Sequence, residues 1–183
     1  MNTNSKLYAL TLSAVLCAVG ILIPMFSPVK ILIEPASFTL ASHVAIFIAM
    51  YISPAVALSV AAGTTAGFFL AGFPIVIVFR AATHVVFAGI GAYVLKMRPD
   101  ILNSVFKAFV FSFFIGLLHS TCEIFVVTPF YFGTGLAGAY YENGFLFSVL
   151  LLVGVGTVVH SMVDFQLAYL IWQPVRKAIT VKV

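Results

Sequence analysis

Apolar positions in this chain gather into six long runs, near Leu7–Phe26, Ala36–Ile52, Pro54–Leu70, Ile75–Met97, Val105–Val127 and Phe145–Trp172. Each spans or nearly spans a bilayer core, which needs about 20 helical residues. The punctuation between runs fits this division: "IPMFSP" closes the first, Ser53–Pro54 makes a tight turn, "AGFP" separates the third from the fourth, and "KMRPD" separates the fourth from the fifth. The longest break, "TPFYFGTGLAGAYYENG", runs from Thr128 to Gly144. The pattern predicts an all-α membrane protein, a bundle of six transmembrane helices forming a single domain over residues 1–183. "MNTNSK" followed by an apolar run imitates a signal peptide, but the run is long and no small-residue cleavage site follows it, so it is expected as the first helix.

Composition strengthens the membrane assignment. Of 183 residues, 63% are hydrophobic and only 8% are charged, more apolar surface than a soluble domain can hide, so the lipid bilayer is the expected surrounding. The net charge of +4 points to topology and away from nucleic acid, because the basic residues are thin and lie between apolar runs. In a six-helix topology Lys6, Lys96, Arg98, Lys107, Arg176, Lys177 and Lys182 fall on one side and Lys30 on the other, which places both termini in the cytoplasm. The outward face then carries Ser27–Pro35 with Lys30 and Glu34, the "AGFP" turn and the long aromatic break. Cys17 and Cys122 lie within apolar runs and are expected as buried thiols.

Ionisable groups within the runs carry the candidate chemistry. Arg80, Glu123 and Asp164 are intramembrane, as are all four histidines, His43, His84, His119 and His160. At that depth such groups cost several kcal/mol unless they pair or face a cavity, so they mark function by default. "RAATH", "HSTCE" and "HSMVD" repeat one spacing, placing Arg80 with His84, His119 with Glu123 and His160 with Asp164 on single helix faces. At about 1.5 Å per residue, Arg80 lies on the order of 8 Å and His84 roughly 14 Å from the outer side, with Glu123 at about 6 Å and His119 at about 12 Å. Arg80 is therefore expected to face Glu123, with His84 near His119, around a pocket in the outer half. His160 and Asp164 lie deeper and read as a structural hydrogen-bonded pair. The competing reading of Arg80 and Glu123 is a bridge that ties two helices together. His43 is read either as a packing histidine or as a ligand contact. Tyr131 and Tyr140 belong to an aromatic cluster that is either an interfacial belt or, given its glycines, a lid.

Other chemistries find little support. HxxxE and HxxxD on separate helices are weak metal signals, and the sequence carries no nucleotide or phosphate-loop motif. Neither a metal nor another cofactor is expected, and ATP hydrolysis would have to come from other subunits. Small residues recur at helix-packing spacing, with Gly63, Gly67 and Ala71 in the third run and Ala14 and Ala18 in the first. Each ladder either packs within the bundle or docks a separate membrane protein.

Size, six helices, cytoplasmic termini and the AxxxA motif Ala14-Val15-Leu16-Cys17-Ala18 together resemble the substrate-binding S components of energy-coupling factor (ECF) transporters, the vitamin importers of bacteria. "IPMFSPVKILIEPASFTLASHVAIFIAMYISP" and "AGFPIVIVFRAATHVVFAGIGA" are similar to the branches assigned to pyridoxine, hydroxymethylpyrimidine, niacin or pantothenate. The resemblance implies a small-molecule vitamin bound in the outer half, and an ECF module of a transmembrane T subunit and two ATPase subunits as partner. It also implies toppling of the whole chain in the membrane during release, and makes Ala14 and Ala18 the candidate docking face. The polar clamp is then Arg80 and Glu123, with His84, His119 and His43 as further contacts and Tyr131 and Tyr140 as lid or stacking residues. The balanced Arg–Glu charges favour a neutral hydroxylated ring over a carboxylate. The rivals are an intramembrane enzyme using the His and acid pairs, and a self-sufficient proton-coupled carrier with His160 and Asp164 as relay.

Overall fold

The structure is a computed structural model and describes residues 3–33, 36–133, 136 and 138–178. Glu34, Lys182 and the side chains of Lys30 and Tyr140 lie outside the described residues. In chain order the elements are α1 (Thr3–Phe26), a hairpin of β1 (Lys30–Ile33) and β2 (Ala36–Thr39), α2 (Val44–Ile52), α3 (Pro54–Leu70) and α4 (Ile75–Met97). They continue through a 3₁₀ turn at Pro99–Asn103 to α5 (Val105–Phe132), the short α6 (Ala139–Glu142) and α7 (Gly156–Ala178). A π-wound stretch, Leu146–Val155, runs directly into α7.

Among the described residues, four helical stretches are long and apolar enough to cross a membrane, Lys6–Phe26, Ile75–Met97, Val105–Phe132 and Leu146–Lys177, and Pro54–Leu70 is a shorter apolar helix. The largest departure from the sequence reading is the second run. Where a helix is expected over Ala36–Ile52, residues 36–39 pair antiparallel with 30–33, Lys30 opposite Thr39 and Ile33 opposite Ala36. Ala41 then takes a left-handed backbone (φ 67°), and only Val44–Ile52 winds as helix. Nine residues rise about 14 Å, too little to cross hydrocarbon. Helix α2 need not cross it, because Val44, Ala45, Ile46, Phe47, Ala49, Met50 and Tyr51 are all buried among α1, α3, α4 and α7. A continuous apolar run signals burial, and protein burial and lipid burial read alike in sequence.

The exterior and interior are inverted relative to a soluble protein. Large apolar side chains such as Leu70, Phe106, Phe125 and Leu146 are among the most exposed, whereas Thr64, His119, Glu123, Thr157, Ser161 and Asp164 are almost wholly buried. Helices approach closely where side chains vanish. A Cβ on Gly63 would meet Cys17 Sγ, and one on Gly67 would meet Ile21, so the ladder in α3 is the seat of α1. Ala14 and Ala18, on α1 itself, are exposed.

The turns obey local chemistry. Ser53 ends α2 and caps α3, its hydroxyl accepting from Val56 N at 3.3 Å with Pro54 in the first helical turn. Gly72 supplies the positive φ (76°) that the "AGFP" reversal requires. Between α4 and α5, Lys107 and Arg98 donate to Asp100 at 2.7 and 3.1 Å and hold its carboxyl down at about 2. All three groups are solvent-facing, so this contact does little for stability.

Gly116 lets α5 lie against the backbone of α7, where an added Cβ would stand 3.2 Å from the Val158 carbonyl oxygen. Gly116→Leu is expected to wedge the helices apart and cost about 1–3 kcal/mol. Thermal unfolding in detergent checks this, and an unchanged midpoint would contradict the close approach.

Candidate functional site

Twenty residues from the helices, the β2 strand and the connecting turns enclose a cavity of about 440 Å³. That is ample for a single-ring ligand, since small-molecule sites run from about 300 to 1,000 Å³. One wall is charged. Arg80 of α4 donates from Nη2 to Glu123 Oε2 of α5 at 2.8 Å, and Thr157 Oγ1 of α7 donates to the same oxygen at 2.6 Å. Three helices thus meet on one carboxylate. The other oxygen, Oε1, lies 3.4 Å from His119 Nε2, outside hydrogen-bonding geometry.

The floor is a cluster of imidazoles. His43 sits at its centre, with ring centroids 4.8 Å from His84, 4.9 Å from His119 and 5.0 Å from His160, each met nearly edge-on. His84 and His119 are 4.9 Å apart. The four-residue spacings bring these groups together from separate helices, and all four rings line the cavity.

Asp164 organises the floor. Fully buried, it accepts from the backbone N–H of Ala41 at 2.7 Å and of His43 at 2.9 Å, and it lies 3.1 Å from His43 Nδ1. The His43 N–H is the N-cap donor that α2 leaves without a helical partner, the Ala41 N–H belongs to the turn just before it, and His43 provides no side-chain cap of its own. A carboxylate from α7 therefore caps α2. His160 Nε2 lies 3.4 Å from Asp164 Oδ2, while its hydrogen bond is with Ser42 Oγ at 3.0 Å. Asp164 itself does not line the cavity, whereas His160 does.

Aromatic contacts fall elsewhere than on the residues first singled out. Tyr131 is not among the cavity-lining residues; it packs against Tyr141 (4.9 Å) and Phe145 (5.4 Å) and against the Val127, Val149 and Val153 cluster. The connection after α5 sends Leu136 to the cavity. The aromatics that face the space are Phe38 of β2, Phe68 of α3 and Phe73 of the following turn, the last two stacked at 4.6 Å. Sequence reading missed them, and it also missed Thr157, although Thr157, His160, Ser161 and Asp164 recur at the helical spacing of one polar stripe.

Membrane-length apolar helices define a multi-pass membrane protein, and its interior holds a cavity with one charged wall and an imidazole floor. The chain is 44% identical over 165 residues to "Niacin transporter NiaX" of Lactococcus lactis subsp. cremoris (strain MG1363), an alignment covering 90% of this chain and 73% of that protein. No protein-family profile matches the chain, and no solved structure does. The chain belongs to the S components of ECF vitamin transporters, as the AxxxA motif and the two quoted stretches suggested.

Thr157→Val keeps shape and removes one of the two short bonds to Glu123. Its expected cost is about 1.5–3 kcal/mol, the scale of a hydrogen bond to a charged group, with Thr157→Ser restoring stability. Equal melting temperatures for Thr157→Val and wild type would show that Arg80 alone holds the carboxylate.

Proposed function

We propose that this chain captures niacin, in the form of nicotinate, from outside the cell. It passes the vitamin to an ATP-hydrolysing module composed of a transmembrane T subunit and two ATPase subunits. The observation that carries the reading is the 44% identity to a protein named as a niacin transporter. The chemistry of the cavity supports it. Glu123 already accepts from Arg80 and Thr157, which makes it a holder of Arg80 more than a spare acceptor for a neutral ring's hydroxyl. The argument from balanced charges for pyridoxine or hydroxymethylpyrimidine loses its force accordingly.

In this reading Arg80, which lines the cavity, meets the vitamin carboxylate, because a guanidinium matches a carboxylate in a two-pronged geometry. His84, His119 and His43 surround the ring nitrogen, and Phe38, Phe68 and Phe73 offer flat apolar contact. Ala14 and Ala18, exposed on α1, form the face that docks the T subunit. Six spans with cytoplasmic termini remain part of the proposal, supported by Lys6, Lys96, Arg98, Lys107, Arg176 and Lys177. The shorter α3 and the buried α2 with its hairpin would complete the crossing.

Calorimetry of the purified chain against nicotinate, pyridoxine, hydroxymethylpyrimidine and pantothenate tests the substrate. Nicotinate is expected to bind, and Arg80→Lys, which keeps the charge beside Glu123 but loses the fork, is expected to weaken it by about 10–150-fold. Binding of another vitamin in place of nicotinate would overturn the assignment. Ala14→Trp or Ala18→Trp should leave nicotinate affinity intact and abolish uptake by cells carrying the module. Normal uptake by both variants would remove α1 from the docking face.

A further inference from the structure

The imidazole floor has a property that vitamin binding does not require. His43, His84 and His119 each offer one ligand atom, and the three atoms lie within 4.8 Å of one another. Nitrogens around a tetrahedral zinc at about 2.0–2.1 Å stand roughly 3.3 Å apart, so small side-chain rotations would close the set. Two atoms in the cluster are orphans: His84 Nδ1 and His119 Nε2 are buried with no hydrogen-bond partner among the described residues. His84 is 6% exposed and His119 is not exposed at all, and both border the cavity.

The surroundings are those of a prepared metal ligand set. Asp164 accepts hydrogen bonds only, so the proton of His43 belongs on Nδ1, 3.1 Å from the carboxylate, and Nε2 keeps its lone pair. This is the carboxylate–histidine arrangement that orients metal-binding imidazoles. His119 repeats it more weakly, with Nδ1 at 3.4 Å from Ser161 Oγ and Nε2 without a hydrogen bond although the Glu123 carboxylate stands 3.4 Å away. Charge also fits. The Arg80 charge is offset by Glu123, and the Asp164 carboxylate behind His43 leaves the neighbourhood favourable to a cation.

We propose that His43, His84 and His119 form a binding site for a first-row transition-metal dication of the zinc type, with its fourth position open to the cavity. Imidazole is the ligand such ions prefer, and three protein ligands with one open position is a recurrent arrangement. No zinc motif marks it in the sequence, because the three ligands come from the turn before α2, from α4 and from α5, with none of the short spacings of such motifs. The site stands independently of which vitamin the cavity takes.

The test uses the full chain purified through a tag without histidines, stripped with chelator and titrated with Co²⁺ alone. One Co²⁺ per chain is expected, with the visible d–d bands of tetrahedral cobalt, displaced by Zn²⁺ and unaffected by Mg²⁺. His84→Gln and His119→Gln should each lose the bands while melting and eluting as folded protein. Asp164→Asn should weaken Co²⁺ about 10–100-fold, as loss of an outer-shell partner does. Absence of bands in folded wild-type protein, bands that survive both histidine variants, or a Co²⁺ affinity indifferent to Asp164→Asn would overturn the site. Nicotinate binding, read separately by calorimetry, is not an arm of this test.

Discussion

The pairing of Arg80 with Glu123 at 2.8 Å sets the terms for the rest of the interior. Two opposite charges in a poorly polarisable medium attract strongly, yet taking both from water costs several kcal/mol each, so such a pair is often no more stable than two well-packed apolar residues. Removing one partner is different, because the survivor is then buried and unpaired, at a cost of about 3–5 kcal/mol. The pair therefore locks α4 to α5 without accounting for its own presence. It also stands on a cavity wall. Of the two readings from the sequence, the helix tie is the one the geometry shows, and the proposed ligand contact is compatible with it. Thr157 extends the tie to α7, so three of the helices around the cavity share a single carboxylate.

Asp164 solves the second problem of a lipid-embedded interior, the backbone. Helix α2 begins inside the bundle, just after a turn with a left-handed residue at Ala41. The Asp164 carboxylate takes the N-cap N–H of His43 and the turn N–H of Ala41, and fixes the His43 ring at the same time. Capping of α2 and assembly of the imidazole floor are thus one interaction. A residue that read as a structural partner for His160 is structural in a wider sense, since it joins the hairpin turn to α7.

Legibility in the sequence followed the physics of each signal. Four-residue spacing and depth from the helix ends were enough to bring Arg80 to Glu123 and His84 to His119, because a helix fixes both face and rise. The turns at Ser53–Pro54 and Gly72 were legible from residue type. Helix α2 was not, because apolar length cannot distinguish a segment buried in protein from one buried in lipid, and the hairpin before it carries β-pairing that only the tertiary setting selects. The aromatics at Tyr131 and Tyr140 drew attention by clustering in sequence. Phe38, Phe68 and Phe73 line the cavity without clustering, brought there by a strand, a helix end and a turn. The glycine ladder of α3 and the alanine ladder of α1 looked equivalent as patterns. Burial separates them, one filled by Cys17 and Ile21 and the other exposed.

That separation bears on how binding and docking are linked. Helix α1 seats on α3 through Gly63 and Gly67, lines the cavity at Pro24 and exposes Ala14 and Ala18 further back along the same rod. Six to ten residues of helix place the exposed alanines about 9–15 Å from the cavity end. Among the described hydrogen bonds and ion pairs, α1 is tied to α3 by close small-residue packing and by the Cys17 thiol, which donates to the Ser59 and Val60 carbonyls at 3.7 Å. Movement of α4, α5 or α7 against one another would strand a buried charge. If the proposed docking at Ala14 and Ala18 holds, the partner would therefore press on the helix whose described ties are uncharged.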